Sequence, residues 1–127
     1  MGATIAFSGK GGSGKTTLAA MLLRELVRTG RRPVLAVDAD PNATLGLTLG
    51  ARAPGTIADL RERLGQAAQD PASAPKQRLL EQWLGEILGE NEGFDLLDMG
   101  RPEGPQCYCH VNALLRRINP RWALRQG

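Results

Sequence analysis

The sequence predicts an α/β fold, a parallel sheet flanked by helices, from three observations. A short apolar segment at residues 4–8 runs directly into a glycine-rich loop and then into a helical pattern. A continuous apolar run at 33–38 ends on a carboxylate. A third apolar segment, 94–99, follows a well-marked amphipathic helix. Strand and helix patterns that alternate in this way require crossover helices between parallel strands. With 127 residues, the chain accommodates one domain at most.

The elements follow in order. Residues 4–8 (TIAFS) are rich in strand formers. After the glycine loop, Leu18, Ala19, Leu22, Leu23, Leu26 and Val27 recur at helical spacing, with Arg24, Glu25 and Arg28 in the gaps and Gly30 as the stop. Residues 33–38 read as a buried strand joined to the first in a βαβ unit. The stretch 44–55 is rich in glycine and threonine and receives no element. Thr56 and Asp59 form a capping-box pattern that opens a helix with Ile57, Leu60 and Leu64 on one face. Arg61, Glu62 and Arg63 take the other face. Residues 66–76 are small, polar and proline-containing, the composition of a surface loop. Leu79, Leu80, Trp83, Leu84, Ile87 and Leu88 mark the next helix. The third strand, 94–99, passes through a Gly/Pro loop into Cys107, Tyr108, Cys109 and His110. Val111, Leu114, Leu115 and Ile118 then suit one or two closing helical turns.

Composition narrows the partners. Apolar residues make up 42% of the chain and charged residues 23%, which fits a globular domain and argues against wholesale disorder. The net charge of +3 is modest. Its basic residues are spread over helices and cluster only at Arg116, Arg117, Arg121 and Arg125, a pattern that suits a solvated surface better than a nucleic-acid groove. No charged leader with an apolar core and no apolar run of about 18 residues is present, so the expected setting is cytoplasmic, away from membranes.

The loop itself carries chemistry. Gly9, Lys10, Gly11, Gly12, Ser13, Gly14, Lys15, Thr16 and Thr17 fit G-x-x-x-x-G-K-[ST], the phosphate-binding loop of P-loop NTPases. Glycines let successive backbone N–H groups curl around phosphate oxygens, where a Cβ would intrude. Lys15 is placed to reach the outer phosphates of a nucleoside triphosphate such as ATP, and the Thr16 hydroxyl to ligate Mg²⁺. The helix that opens at Lys15 adds unpaired N–H groups and the positive end of its dipole.

Asp38, Ala39, Asp40, Pro41 and Asn42 follow the second strand at its carboxyl end, the edge where open α/β sheets bind ligands. Asp40 is the candidate to position and deprotonate an attacking water. Asp38 suits either Mg²⁺ held through water or a brace for the loop. Both also read as turn or cap residues, since Asp-Pro-Asn is good turn chemistry. Cys107 and Cys109, one residue apart, are poorly placed for a mutual disulfide and are either thiolate ligands or bystanders.

The form K-G-G-x-G-K-T-T, with the extra Lys10, resembles the dimerising ATPases of the ParA/MinD and nitrogenase-iron-protein group. The resemblance implies that Lys10 crosses a homodimer interface to the partner's nucleotide; the alternative is that Lys10 only adds local positive charge for phosphate binding. D-A-D-P-N resembles that group's switch I, in which the second aspartate, Asp40 here, serves hydrolysis. Over residues 1–118, including F-D-L-L-x-M-G-R-P-E-G, the chain resembles the CooC-like ATPases that insert nickel into carbon monoxide dehydrogenase. That likeness implies that Cys107 and Cys109 supply half of a Ni²⁺ or Zn²⁺ site completed by a second copy, with carbon monoxide dehydrogenase as client. His110 is a weaker candidate ligand. In the same family the switch II aspartate lies on a later strand, so Asp98 is expected to be structural and the Walker B position to be absent. On this reading residues 1–118 are the N-terminal part of a CobQ/CobB/MinD/ParA-type domain, truncated after its third strand region, and 119–127 are a divergent basic tail. Phosphate binding is local to this portion, whereas hydrolysis, dimerisation and metal transfer draw on parts beyond it. The competing expectations are a ParA/MinD-like positioning ATPase and an inactive truncated remnant.

Overall fold

The structure, a computed structural model, describes residues 5–10, 14–31, 33–40, 42 and 44–100. Its elements are α1 (Lys15–Arg28), β1 (Leu35–Asp38), α2 (Thr44–Leu49), α3 (Ile57–Ala67), α4 (Lys76–Ile87), β2 (Gly89–Asn91) and β3 (Phe94–Asp98). The strands form one sheet in the order β1-β3-β2. β1 and β3 run parallel, from Leu35 opposite Asp95 to Asp38 opposite Asp98. β2 joins β3 antiparallel, from Gly89 opposite Leu96 to Asn91 opposite Phe94.

Alternation along the strands divides the molecule into layers. Leu97, fully buried, joins Ile57, Leu60, Leu80, Ile87 and Met99 in the main core, with Leu35, Val37, Trp83 and Leu84 packed against them. This places α3 and α4 on one face. Leu96, the neighbour of Leu97, lies on the other face: its Cδ2 is 3.3 Å from where a Cβ on Gly46 of α2 would stand. Both leucines are buried, as a sheet covered on two sides requires.

Local chemistry explains the helix ends. The Thr56 hydroxyl accepts from the Asp59 amide at 3.1 Å, and the Asp59 carboxylate accepts from the Thr56 amide at 3.1 Å, so the predicted capping box starts α3. α1 stops as expected at Gly30, whose φ is +72°, with Gly30 N–H donating to Val27 O at 3.1 Å and Arg31 N–H to Leu26 O at 3.0 Å. Those two bonds are the pair of a Schellman termination. α3 and α4 are further joined by an Arg63–Glu86 ion pair at 2.8 Å, and the Arg63 guanidinium stacks 4.3 Å from the Trp83 ring centre.

The α/β class and the flanking helices are as predicted, with four differences in detail. The sheet is mixed rather than wholly parallel, because residues 89–98 fold back as a short hairpin. Its turn depends on Gly93, with φ at +88°, where a Cβ would come within 2.6 Å of Val27 on α1. Among the described residues, 5–10 pair with no strand; strand formation needs a neighbour to complete the ladder, and Ile5 and Phe7 are 60% and 39% exposed. The stretch that received no element contains α2, whose six residues are too few for sequence periodicity to mark. On α1 the buried residues are Ala20 and Leu23, while Leu18, expected on the apolar face, is 55% exposed. The expected helical turns at 111–118, the C-x-C pair and the basic tail lie outside the described residues. Among the described residues no helix is long and apolar enough to cross a membrane.

Candidate functional site

The site is built where the amino terminus of α1 meets the segment that leaves β1. Gly14 caps α1 with φ at +85°, a conformation that glycine adopts without the strain a Cβ would bring. Among the described residues no side chain caps this end, and the first turn holds no acidic residue. The leading N–H groups of α1 are therefore not answered by a capping side chain, the arrangement that suits an anion. The Lys15 ammonium donates to the Gly9 carbonyl at 3.0 Å, bridging the two ends of the loop. Lys10 and Thr17 are exposed, and Thr16 is half-buried. Gly11, Gly12 and Ser13 lie outside the described residues.

Asp38 is buried at the end of β1. One carboxylate oxygen accepts from the Asp40 amide and the other from the Leu45 amide, each at 3.0 Å. It thus fixes the turn after β1 and receives an N–H from the first turn of α2, a favourable place for a negative charge. Burial pushes the Asp38 carboxyl above its ordinary value of 3.8; the two amide bonds oppose that shift, and the nearby carboxylates of Asp98 and Asp40 add to it. Asp40 accepts from the Asn42 amide at 3.0 Å, an Asx turn of the kind its sequence favours. Asp98 accepts from the Gly100 amide at 2.9 Å. A cleft of about 320 Å³ opens beside these groups, lined by Asp38, Asn42, Gly46, Leu47, Arg52 and Asp98 among others.

The two halves of the site meet through threonine. The Thr16 hydroxyl stands 3.3 Å from the Thr44 hydroxyl, linking the second residue of α1 to the first of α2. One turn farther along α2 and two along α1, Arg24 donates to the Thr48 carbonyl at 3.3 Å and ties the helices again. Through Thr44, Leu45 and Asp38, the predicted phosphate loop and the predicted aspartate segment belong to one connected assembly. Thr44 was not among the candidates drawn from sequence. Its only signal there was a threonine shortly after D-A-D-P-N, at the start of a helix that the pattern did not show.

The Mg²⁺ that P-loop proteins use alongside the nucleotide suits these residues. Thr16 presents a half-buried hydroxyl at a helix amino terminus, and hard oxygen donors are what Mg²⁺ prefers. The soft-metal candidates Cys107, Cys109 and His110 lie outside the described residues. Among the described residues, no group of three or more His, Cys, Asp or Glu side chains is placed to hold a metal ion.

The sequence matches the family described as the CobQ/CobB/MinD/ParA nucleotide binding domain over residues 4–118, and the chain belongs to that family. It is 44% identical over 117 residues to an uncharacterized ATP-binding protein of Methanocaldococcus jannaschii, covering 90% of this chain and 46% of that protein. It is 34% identical over 125 residues to the carbon monoxide dehydrogenase accessory protein CooC of Rhodospirillum rubrum, covering 90% of this chain and 47% of that protein. A second uncharacterized ATP-binding protein of M. jannaschii is 35% identical over 125 residues, again with 90% and 47% coverage. The chain therefore spans about half the length of each of these relatives. No solved structure gives a significant match.

Proposed function

We propose that this chain binds ATP with Mg²⁺ through its phosphate loop, as part of an ATPase design of the CooC-like type. The observation that carries the reading is the start of α1: a left-handed Gly14, no capping side chain, no acidic first turn, and Lys15 and Thr16 at its head. A triphosphate placed there meets backbone N–H groups, an ammonium and a metal-ligating hydroxyl together. When bound, Mg²⁺ neutralises charge on the phosphate oxygens.

The chain's own residues divide the remaining work. Gly9 to Thr17 cradle the phosphates, with Lys15 on the outer ones. Lys10 reaches the nucleotide of a second copy across a homodimer interface. Asp40, at the turn held by Asp38, positions the water that attacks the terminal phosphoryl group and accepts its proton. Asp38 acts mainly as the brace, since both of its oxygens already serve backbone amides; any hold on Mg²⁺ runs through water. Cys107 and Cys109 offer thiolates to a Ni²⁺ or Zn²⁺ cargo shared with a second copy. The client is then a nickel enzyme such as carbon monoxide dehydrogenase. The likeness to CooC supports this specialisation, and a positioning ATPase has no use for that thiolate pair.

A thermal melt of the purified chain with and without Mg-ATP tests the reading. ATP at about a hundredfold over its dissociation constant adds about 2.7 kcal/mol to a folded binder. The melt is expected to move upward with Mg-ATP, and Lys15→Ala to abolish the movement. A folded chain whose transition ignores Mg-ATP overturns nucleotide binding.

A further inference from the structure

We infer that Thr44 is the positioning residue for the metal-bound state of Thr16, the contact through which α2 responds to a bound Mg-nucleotide. The inference rests on the Mg-ATP reading above and adds a residue that neither the loop motif nor the aspartate segment contains.

A threonine hydroxyl has one proton to donate and two lone pairs to accept with. Once Thr16 Oγ1 gives a lone pair to Mg²⁺, its proton must point away from the cation and find an acceptor. Among the described residues, Thr44 Oγ1, 3.3 Å away and part-buried, is the side-chain oxygen placed within reach. Metal coordination polarises the Thr16 O–H and strengthens that donation, as partners behind metal ligands generally do. At 3.3 Å the contact is longer than the usual O–H···O distance of about 2.8 Å, so it has room to tighten.

Thr44 is well placed to pass such tightening on. It is the first residue of α2, and the next amide, Leu45 N–H, is held by Asp38 at 3.0 Å. The other oxygen of Asp38 holds the Asp40 amide at 3.0 Å. A shift of Thr44 toward Thr16 is thereby felt at the turn that carries Asp40. The Arg24 bond to the Thr48 carbonyl anchors the far end of α2 to α1, so movement is confined to the end nearer the metal.

The test measures ATP affinity of the full chain in Mg²⁺ and again in EDTA. The quantity of interest is the factor by which Mg²⁺ tightens binding. Thr44→Val keeps the shape and removes the hydroxyl. It is expected to cut that factor about tenfold or more while leaving affinity in EDTA unchanged. Thr44→Ser, which restores the hydroxyl, is expected to recover it. Thr44→Ala serves as a second hydroxyl deletion should the valine variant not fold. A magnesium factor unchanged in a folded Thr44→Val or Thr44→Ala chain overturns the inference and leaves nucleotide binding standing. Equal loss in Mg²⁺ and EDTA also overturns it, because a merely structural role would weaken both. Failure of the unsubstituted chain to bind ATP under either condition removes the underlying reading and the inference together.

Discussion

Asp38 and Asp98 stand opposite each other at the carboxyl ends of β1 and β3, yet their carboxylates hold different segments of backbone. Asp38 takes the amides of Asp40 and Leu45, while Asp98 takes the amide of Gly100. The aspartate on β1 therefore organises the start of α2, and the one on β3 organises the chain that leaves the sheet. The burial of Asp38, with the carboxylates of Asp98 and Asp40 nearby, also sets a pH dependence.

Burial raises the folded-state value of Asp38 above 3.8. Between its unfolded and folded values, the native state holds a proton that the unfolded chain has lost. Stability from this residue is thus fully present below the unfolded value and declines as pH rises through the folded one. The melting temperature of the unsubstituted chain minus that of Asp38→Asn is expected to fall from about pH 3 to about pH 7. A difference that is flat or grows over that range contradicts the assignment.

The capping box supplies a second expectation. Thr56→Ala removes the acceptor for the Asp59 amide and unbalances the return bond to the Thr56 amide. The loss should be about 0.5–2 kcal/mol, read from urea midpoints at constant slope. Thr56→Ser should keep most of it. Equal losses in the two variants would place the effect in packing rather than in the cap.

The proposed thiolate pair gives a third. Zinc favours tetrahedral thiolate-rich sites, Ni²⁺ is held four-coordinate in square-planar ones, and two cysteines per chain supply half of either set. Where two ATP-loaded copies pair, titration is expected to saturate near about one ion per two chains, since a two-fold pair completes the ligand set. Replacing Cys107 and Cys109 with serine should remove this binding. Retention of the same stoichiometry by the double variant would sink the proposal.

Legibility from sequence followed the range of the forces involved. The α1 start and stop, the α3 cap and the apolar stripe of α4 were readable because each is decided within about one or two helical turns. Residues 4–8 had strand composition, but a strand exists only with a neighbour, and composition does not supply one. α2 escaped notice because its position is set by Asp38 and Thr16, distant in sequence, rather than by its own pattern. The β2–β3 hairpin was hidden for a related reason. Its first strand, Gly89, Glu90 and Asn91, has poor strand propensity and is held by the strong strand formers of β3. At the site, the glycine loop and D-A-D-P-N were visible as motifs, whereas the Thr16–Thr44 contact that joins them is a product of folding.

The register of β1 against β3 has a kinetic consequence. Leu35 meets Asp95 across about 60 residues of chain, whereas α3, α4 and the hairpin are contiguous in sequence. Closing the larger loop carries the greater entropy loss before any contact offsets it. The contiguous unit from Thr56 to Met99 is thus expected to form the nucleus, with β1 docking onto it afterwards. Asp38 and Asp40 travel with β1, so this edge of the candidate site is assembled last and only on a sheet that already exists. In a chevron experiment, substitutions at Leu60 or Leu97 should slow folding, and those at Val37 should chiefly speed unfolding.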